Sequence, residues 1–198
     1  MLKLWYRARL SVRDLIADRR GLAAIEFAMI VPIMLVMFFG TVELSSGVAV
    51  DRKVTLVART LSDLTSQSSS VADADLNNFF TIKNAMLTPY PPGPVQATIT
   101  ELYVDPITLK ARVQWSKAYQ GGTARAVSSV VTIPAALKVG GTYLIFSEVS
   151  YQYVPTIGYV MAKTGVNLSD VSYTRPRQST CVIYPTPSSG SLPACPTL

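Results

Sequence analysis

The sequence predicts an α+β protein in which one N-terminal transmembrane helix continues as a long amphipathic helix and packs on a mainly antiparallel β-sheet domain. Three observations predict it. Residues 22–42 form an apolar run of membrane-spanning length, residues 43–67 keep a helical apolar stripe without proline, and the chain beyond a proline-rich connector alternates with the period of strands. With 198 residues there is room for one modest core besides the membrane segment. The 49% hydrophobic and 15% charged content exceeds that of an ordinary soluble domain, and the surplus lies in that first run.

The run Leu22–Val42, LAAIEFAMIVPIMLVMFFGTV, holds a single charge, Glu26, and a single proline, Pro32. At about 1.5 Å per residue it spans roughly 30 Å, the thickness of a bilayer core. A buried soluble helix usually keeps a polar stripe, and Phe27–Phe39 has none. A removable secretory signal shares the basic start, but its apolar region covers only about 7–15 residues before a small-x-small site. Glu43-Leu44-Ser45-Ser46-Gly47 offers a weak site, which favours retention. Lys3, Arg7, Arg9, Arg13, Arg19 and Arg20 precede the run, whereas Arg52 and Lys53 alone follow closely. Such a bias holds the leader in the cytoplasm and translocates the rest. Because residues 1–21 supply +4 of the net +6, the basicity is topogenic and no nucleic-acid partner is expected.

Beyond the membrane, Val50, Val54, Val57, Leu61 and Leu64 recur at steps of four and three and share one helix face. That stripe must be covered, either by the protein's own domain or by neighbouring subunits. Ser66–Ser70 breaks the pattern, and Ser70 with Asp73 reads as the cap of a second helix to about Leu87, with Leu76, Phe79, Phe80, Lys83 and Met86 on one face. Pro89-Tyr90-Pro91-Pro92-Gly93-Pro94 then ends helical structure. Five segments follow from these readings: a leader 1–21, a membrane helix 22–42, a helical stalk 43–88, a connector 89–94 and a translocated β-rich domain 95–198.

In that domain, Val95–Val104 and Ile107–Ser116 flank Asp105-Pro106 as a hairpin. Further strands are expected at Val130–Ile133, Thr142–Val154 and Val171–Thr174 with Val182–Tyr184, and Gly140-Gly141 marks a turn. Cys181 and Cys195 would pair in an oxidising compartment, closing a loop of about 15 residues worth up to about 3 kcal/mol; two free thiols are the alternative.

The chain has no histidine, which removes the usual general base and most transition-metal sites. Glu101 and Glu148 lie in expected strands, where a solvated or ion-paired role outweighs a catalytic pair. Gly121-Gly122 and Gly140-Gly141 lack the lysine and helix of a phosphate loop. No enzyme activity, cofactor, metal or small-molecule substrate is therefore expected. The remaining feature is Arg19-Arg20-Gly21-Leu22-Ala23-Ala24-Ile25-Glu26-Phe27, where a carboxylate stands just inside the apolar run. Cleavage after Gly21 would place a new amino group on Leu22, one helical turn from Glu26, able to pair with it within or between subunits. A glutamate that reaches the headgroups is the other reading.

The basic leader with RRGLAAIEF and its apolar run resembles a prepilin-type signal, and RRGLAAIEFAMIVPIMLVMFFGTVELS is similar to the TadE/TadG-like pseudopilins of tight-adherence secretion and Flp pilus assembly. VDRKVTLVARTLSDL resembles the juxtamembrane helix of that family, and EVSYQYVP and YTRPR resemble strings from its domain. The resemblance implies a pilin-like minor pseudopilin or assembly component in the bacterial inner membrane, with a periplasmic domain and no catalysis of its own. It further implies a prepilin peptidase acting between Gly21 and Leu22, an assembly role for Glu26, and contacts with other pilus subunits, the assembly platform and the lipid bilayer. Leu22 stands where ordinary type IV pilins favour phenylalanine, and members of the TadG type can keep the anchor uncut. An uncleaved periplasmic scaffold or binding module is the alternative.

Overall fold

The computed structural model describes residues 21–155, 165–187 and 191–197. The basic residues Arg13, Arg19 and Arg20 lie outside the described residues. Two compact units, Met1–Ser45 and Ser46–Leu198, divide the chain.

Helix α1 occupies Leu22–Ser66, with Pro32 inside it, and a second helix, α2, occupies Asp73–Leu87. The sequence places a cap at Ser70, but α2 begins two residues later. Ala72 is its N-cap, and its amide donates to Asp75 Oδ2 at 2.9 Å, so a carboxylate of the first turn satisfies the exposed backbone. Ser70 instead bridges Ile183.

Strands β1 (Val95–Val104), β2 (Ala111–Tyr119), β3 (Val130–Val131), β4 (Tyr143–Tyr153) and β5 (Val166–Thr174) form one antiparallel sheet in the order β3-β2-β1-β4-β5. The expected start of β2 at Ile107 moves to Ala111, because residues 105–110 fold into a turn built on Asp105. A bulge between Glu101 and Leu102 shifts the β1–β2 register. Val182–Tyr184 is not a strand of this sheet. It belongs to a strap that crosses it, described below.

Alternation along β1 and β4 sorts their side chains. Val95, Ala97 and Ile99 with Ile145, Val149, Tyr151 and Tyr153 join Val50, Val54, Val57, Ala58 and Leu61 of α1 and Leu76, Phe80 and Leu87 of α2 in the main core. The opposite face carries a smaller cluster, Leu102, Val104, Val113, Leu144 and Phe146, covered by Ile133 and Leu137 from the segment between β3 and β4.

Polar contacts fix the helices on this core. Ser147 donates to the carbonyl of Ala58 at 2.5 Å, and Ser62 joins Ser172 at 2.9 Å and Thr174 at 3.0 Å. Lys53 donates to the carbonyls of Met86 and Thr88, which closes the C-terminal end of α2. Lys83, which interrupts the apolar face of α2, is nonetheless buried and bonds Pro92 O and Gln120 Oε1. Its aliphatic stem packs while its ammonium is satisfied. Burial holds that ammonium below its ordinary pKa.

Phe80 is fully buried and stacks on Tyr119 with ring centroids 4.8 Å apart. Replacing it with alanine should cost about 3–4 kcal/mol, read as a lower urea midpoint of the detergent-solubilised chain. Half-buried Phe79 should cost less than half of that.

Candidate functional site

The first part of the candidate site is the start of α1. Gly21 precedes the first helical residue, Leu22, and a β-carbon on Gly21 would meet nothing within 4 Å. Glu26 lies one turn into the helix and is exposed, as are Leu22, Ile25, Phe27 and Met29. Among the described residues α1 is the one helix long and apolar enough to cross a membrane, and none of its most apolar stretch is buried.

The second part is the stripe that follows. Val50, Val54, Val57 and Leu61 are each at most 2% exposed and sit in the core, so the domain's own sheet covers them. Leu64 is half-buried beside Ser172 and Thr174. Glu43, four residues after the last phenylalanine of the apolar run, is also buried.

A third part was not anticipated from sequence. Glu101 stands at the end of the series Val95, Ala97, Ile99, Glu101 on β1, opposite Ile145 on β4, and is fully buried. The expectation of a solvated or ion-paired carboxylate fails here because alternation carries the residue onto the core face. Its Oε1 accepts the Val182 amide at 2.6 Å, and its Oε2 has no hydrogen-bond partner. Loss of hydration raises its pKa to about 8, while the Val182 amide and the Trp115 indole N–H pull the other way. The carboxyl is therefore neutral at pH 7.

Glu148 behaves as expected. It pairs bidentately with Arg125 at 2.6 and 2.9 Å, on the face of β4 opposite to Ile145, so the two glutamates do not converge. The pair lies in an open concavity of about 570 Å³ that also includes Thr98 and Ser150. Among the described residues no three His, Cys, Asp or Glu side chains gather to hold a metal.

Val182 belongs to the strap, residues 175–187, which joins the distal ends of the helices to the sheet. Its carbonyl accepts from Trp115 Nε1 at 2.7 Å. Arg177 donates its amide to Ser66 O, the last residue of α1, and pairs with Asp63. Ile183 exchanges bonds with the α1–α2 link, its carbonyl accepting from Val71 N and its amide donating to Ser69 O. Tyr184 donates to Asp73 Oδ1. Cys181 and Cys195 form a disulfide that holds the following segment against Tyr143, whose hydroxyl donates to Pro196 O.

The fold and the site define a class: an α+β protein whose one candidate N-terminal membrane-spanning helix fits a membrane-anchored protein. Residues 21–61 match the family model of the TadE-like protein, a domain that suggests a component associated with the Tad pilus. The matched segment begins at Gly21, contains Glu26 and Pro32, and ends at Leu61, the last fully buried member of the stripe. No curated protein and no solved structure matches the chain.

Two outcomes follow. Folded Glu101 keeps its proton to about pH 8, whereas an unfolded glutamate releases it near 4.5, so the stability it contributes is full below 4.5 and is lost as pH rises toward 8. The slope should be roughly 1 kcal/mol per pH unit, and Glu101→Gln should flatten it in melting curves taken from pH 5 to 8. Replacing Cys181 and Cys195 with serine should remove up to about 3 kcal/mol and speed hydrogen exchange at the amides of Val71, Val182 and Ile183.

Proposed function

We propose that the chain is a minor pseudopilin, or assembly component, of a Tad (Flp) pilus system, anchored in the bacterial inner membrane with its domain in the periplasm. The supporting observation is the TadE-like match, which starts at the glycine of the leader junction and covers the apolar run and the stripe as far as Leu61. On this reading residues 1–21 are a cytoplasmic leader oriented by Arg13, Arg19 and Arg20, and residues 22–42 cross the bilayer. Residues 43–88 form the helical stalk, 89–94 the connector and 95–198 the periplasmic domain.

A prepilin peptidase cuts between Gly21 and Leu22. The new amino group on Leu22 then lies one helical turn from Glu26, and a cation and a carboxylate in apolar surroundings attract strongly when they meet. A pair formed between subunits fixes the axial register of neighbouring helices, because any other register leaves a charge unpaired in lipid. The partners are accordingly other pseudopilin subunits, the inner-membrane assembly platform and the bilayer. The chain acts by assembly and carries no catalysis of its own.

Coexpression with the matching peptidase should remove Met1–Gly21, which intact-mass spectrometry reads directly. Glu26→Ala should lower pilus production by about tenfold or more while the protein remains in the membrane fraction. A persistent full-length chain, together with normal piliation after replacement of Gly21, sinks the processed form and leaves an uncleaved envelope scaffold.

A further inference from the structure

At the end of the sheet where β1 passes into β2, apolar side chains and lysines stand exposed together. We propose that this surface docks an extended acidic segment of a partner protein that carries at least one large apolar side chain. Ile107 is 90% exposed and Leu109 43%, and Val130 and Val139 on the neighbouring segments are also open. Single exposed apolar residues are ordinary, but a group of them at one end of a domain marks an interaction surface.

The loop that presents them is rigid. Asp105 Oδ1 accepts the amides of Ile107 at 2.7 Å and Thr108 at 2.9 Å. The Asp105 amide donates to Lys110 O, and its carbonyl accepts from Leu109 N, both at 3.0 Å. Leu109 is held at φ 54°, a conformation leucine rarely adopts. The turn before β4 seats against this loop, for a β-carbon on Gly140 would come within 2.6 Å of Pro106 Cα. Gly141, at φ 74°, donates to Val104 O. A preorganised apolar surface loses little conformational freedom on binding.

Between the loops lies a concavity of about 450 Å³ lined by Leu109, Lys110, Val130, Ile133 and Lys138 among others. Both lysines are exposed, and among the described residues neither makes an ion pair. The carboxylate of this loop, Asp105, is committed to its own turn, and the amides of Thr108 and Ile107 hold its pKa below the ordinary value. The uncommitted charge is thus positive and flanks a hollow that Leu109 and Val130 line together with Thr108 and Thr132. Its complement is an apolar side chain seated between Leu109 and Val130, flanked by carboxylates that meet Lys110 and Lys138.

The test uses the full chain in neutral phosphatidylcholine nanodiscs and two labelled decapeptides, one alternating Glu with Leu and one alternating Lys with Leu. Fluorescence anisotropy should show binding of the acidic peptide only, weakened as salt rises. Lys110→Glu with Lys138→Glu should weaken it at least about tenfold, and Lys110→Arg with Lys138→Arg should preserve it. Leu109→Gly removes the side chain at a position whose backbone glycine accepts readily, so it should keep the melting temperature and still lose about tenfold in binding. Equal binding of both peptides, no binding, or binding unchanged in these variants overturns the proposal. Self-association lost in Leu109→Gly assigns the surface to a second copy and overturns it too, as does lysine-dependent attachment to phosphatidylglycerol vesicles without peptide binding.

Discussion

The constraint on which the domain depends is the coverage of one face of α1. Val50, Val54, Val57 and Leu61 are large enough, and close enough to completely buried, that their exposure would cost several kcal/mol in total. The sheet answers this with Val95, Ala97, Ile99, Ile145 and Val149 on its two central strands. Everything else on that face, including α2 and the strap, closes the margins of this contact. The polar bonds from Ser147 to Ala58 and from Ser62 to Ser172 add direction to a contact whose energy is apolar.

Glu101 is a fully buried carboxyl at which this core departs from apolar economy. A carboxyl with one bonded oxygen is a costly occupant of a site that a leucine would fill. What it obtains is a directional contact with the Val182 amide, next to the carbonyl that receives the Trp115 indole. The two bonds fix the strap in one position, and the strap in turn carries bonds to Ser66, Ser69 and Val71. Neutral Glu101 and the disulfide thus act on the same few residues from two sides, one by hydrogen bonding and one covalently.

Much of this was legible in the sequence because the signals were periodic. The apolar run and the four-three spacing from Val50 to Leu61 depend on local geometry alone, and those elements stand where their period places them. Alternation holds less well along β2, where the bulge opposite Glu101 and Leu102 turns Trp115 to the helix-facing core and leaves Ala111 and Val113 on the other face. Boundaries failed where a side chain competed with the pattern. Asp105 turned Ile107–Lys110 into a loop by capping its amides, and Asp75 moved the start of α2 from Ser70 to Ala72. Val182–Tyr184 has the composition of a strand, but its neighbours in space are a helix terminus and a buried glutamate, which no local pattern announces. The depth of Glu101 was readable in principle, since it continues the series Val95, Ala97, Ile99; charge outweighed period in that reading. The exposed apolar tip at Ile107 gave no sequence signal, because the same alternation fits a buried strand.

The interlocked stripe also has a mechanical meaning. A load applied along the axis of α1 within the Ser46–Leu198 unit meets four side chains seated in the sheet and a backbone bond at the last helical residue. Sliding the helix to its next matching position requires a full turn, about 5.4 Å, with all four leaving their seats together. Such a joint resists in shear across its whole length and does not peel one contact at a time, so tension on the helix passes into the sheet with little stretch.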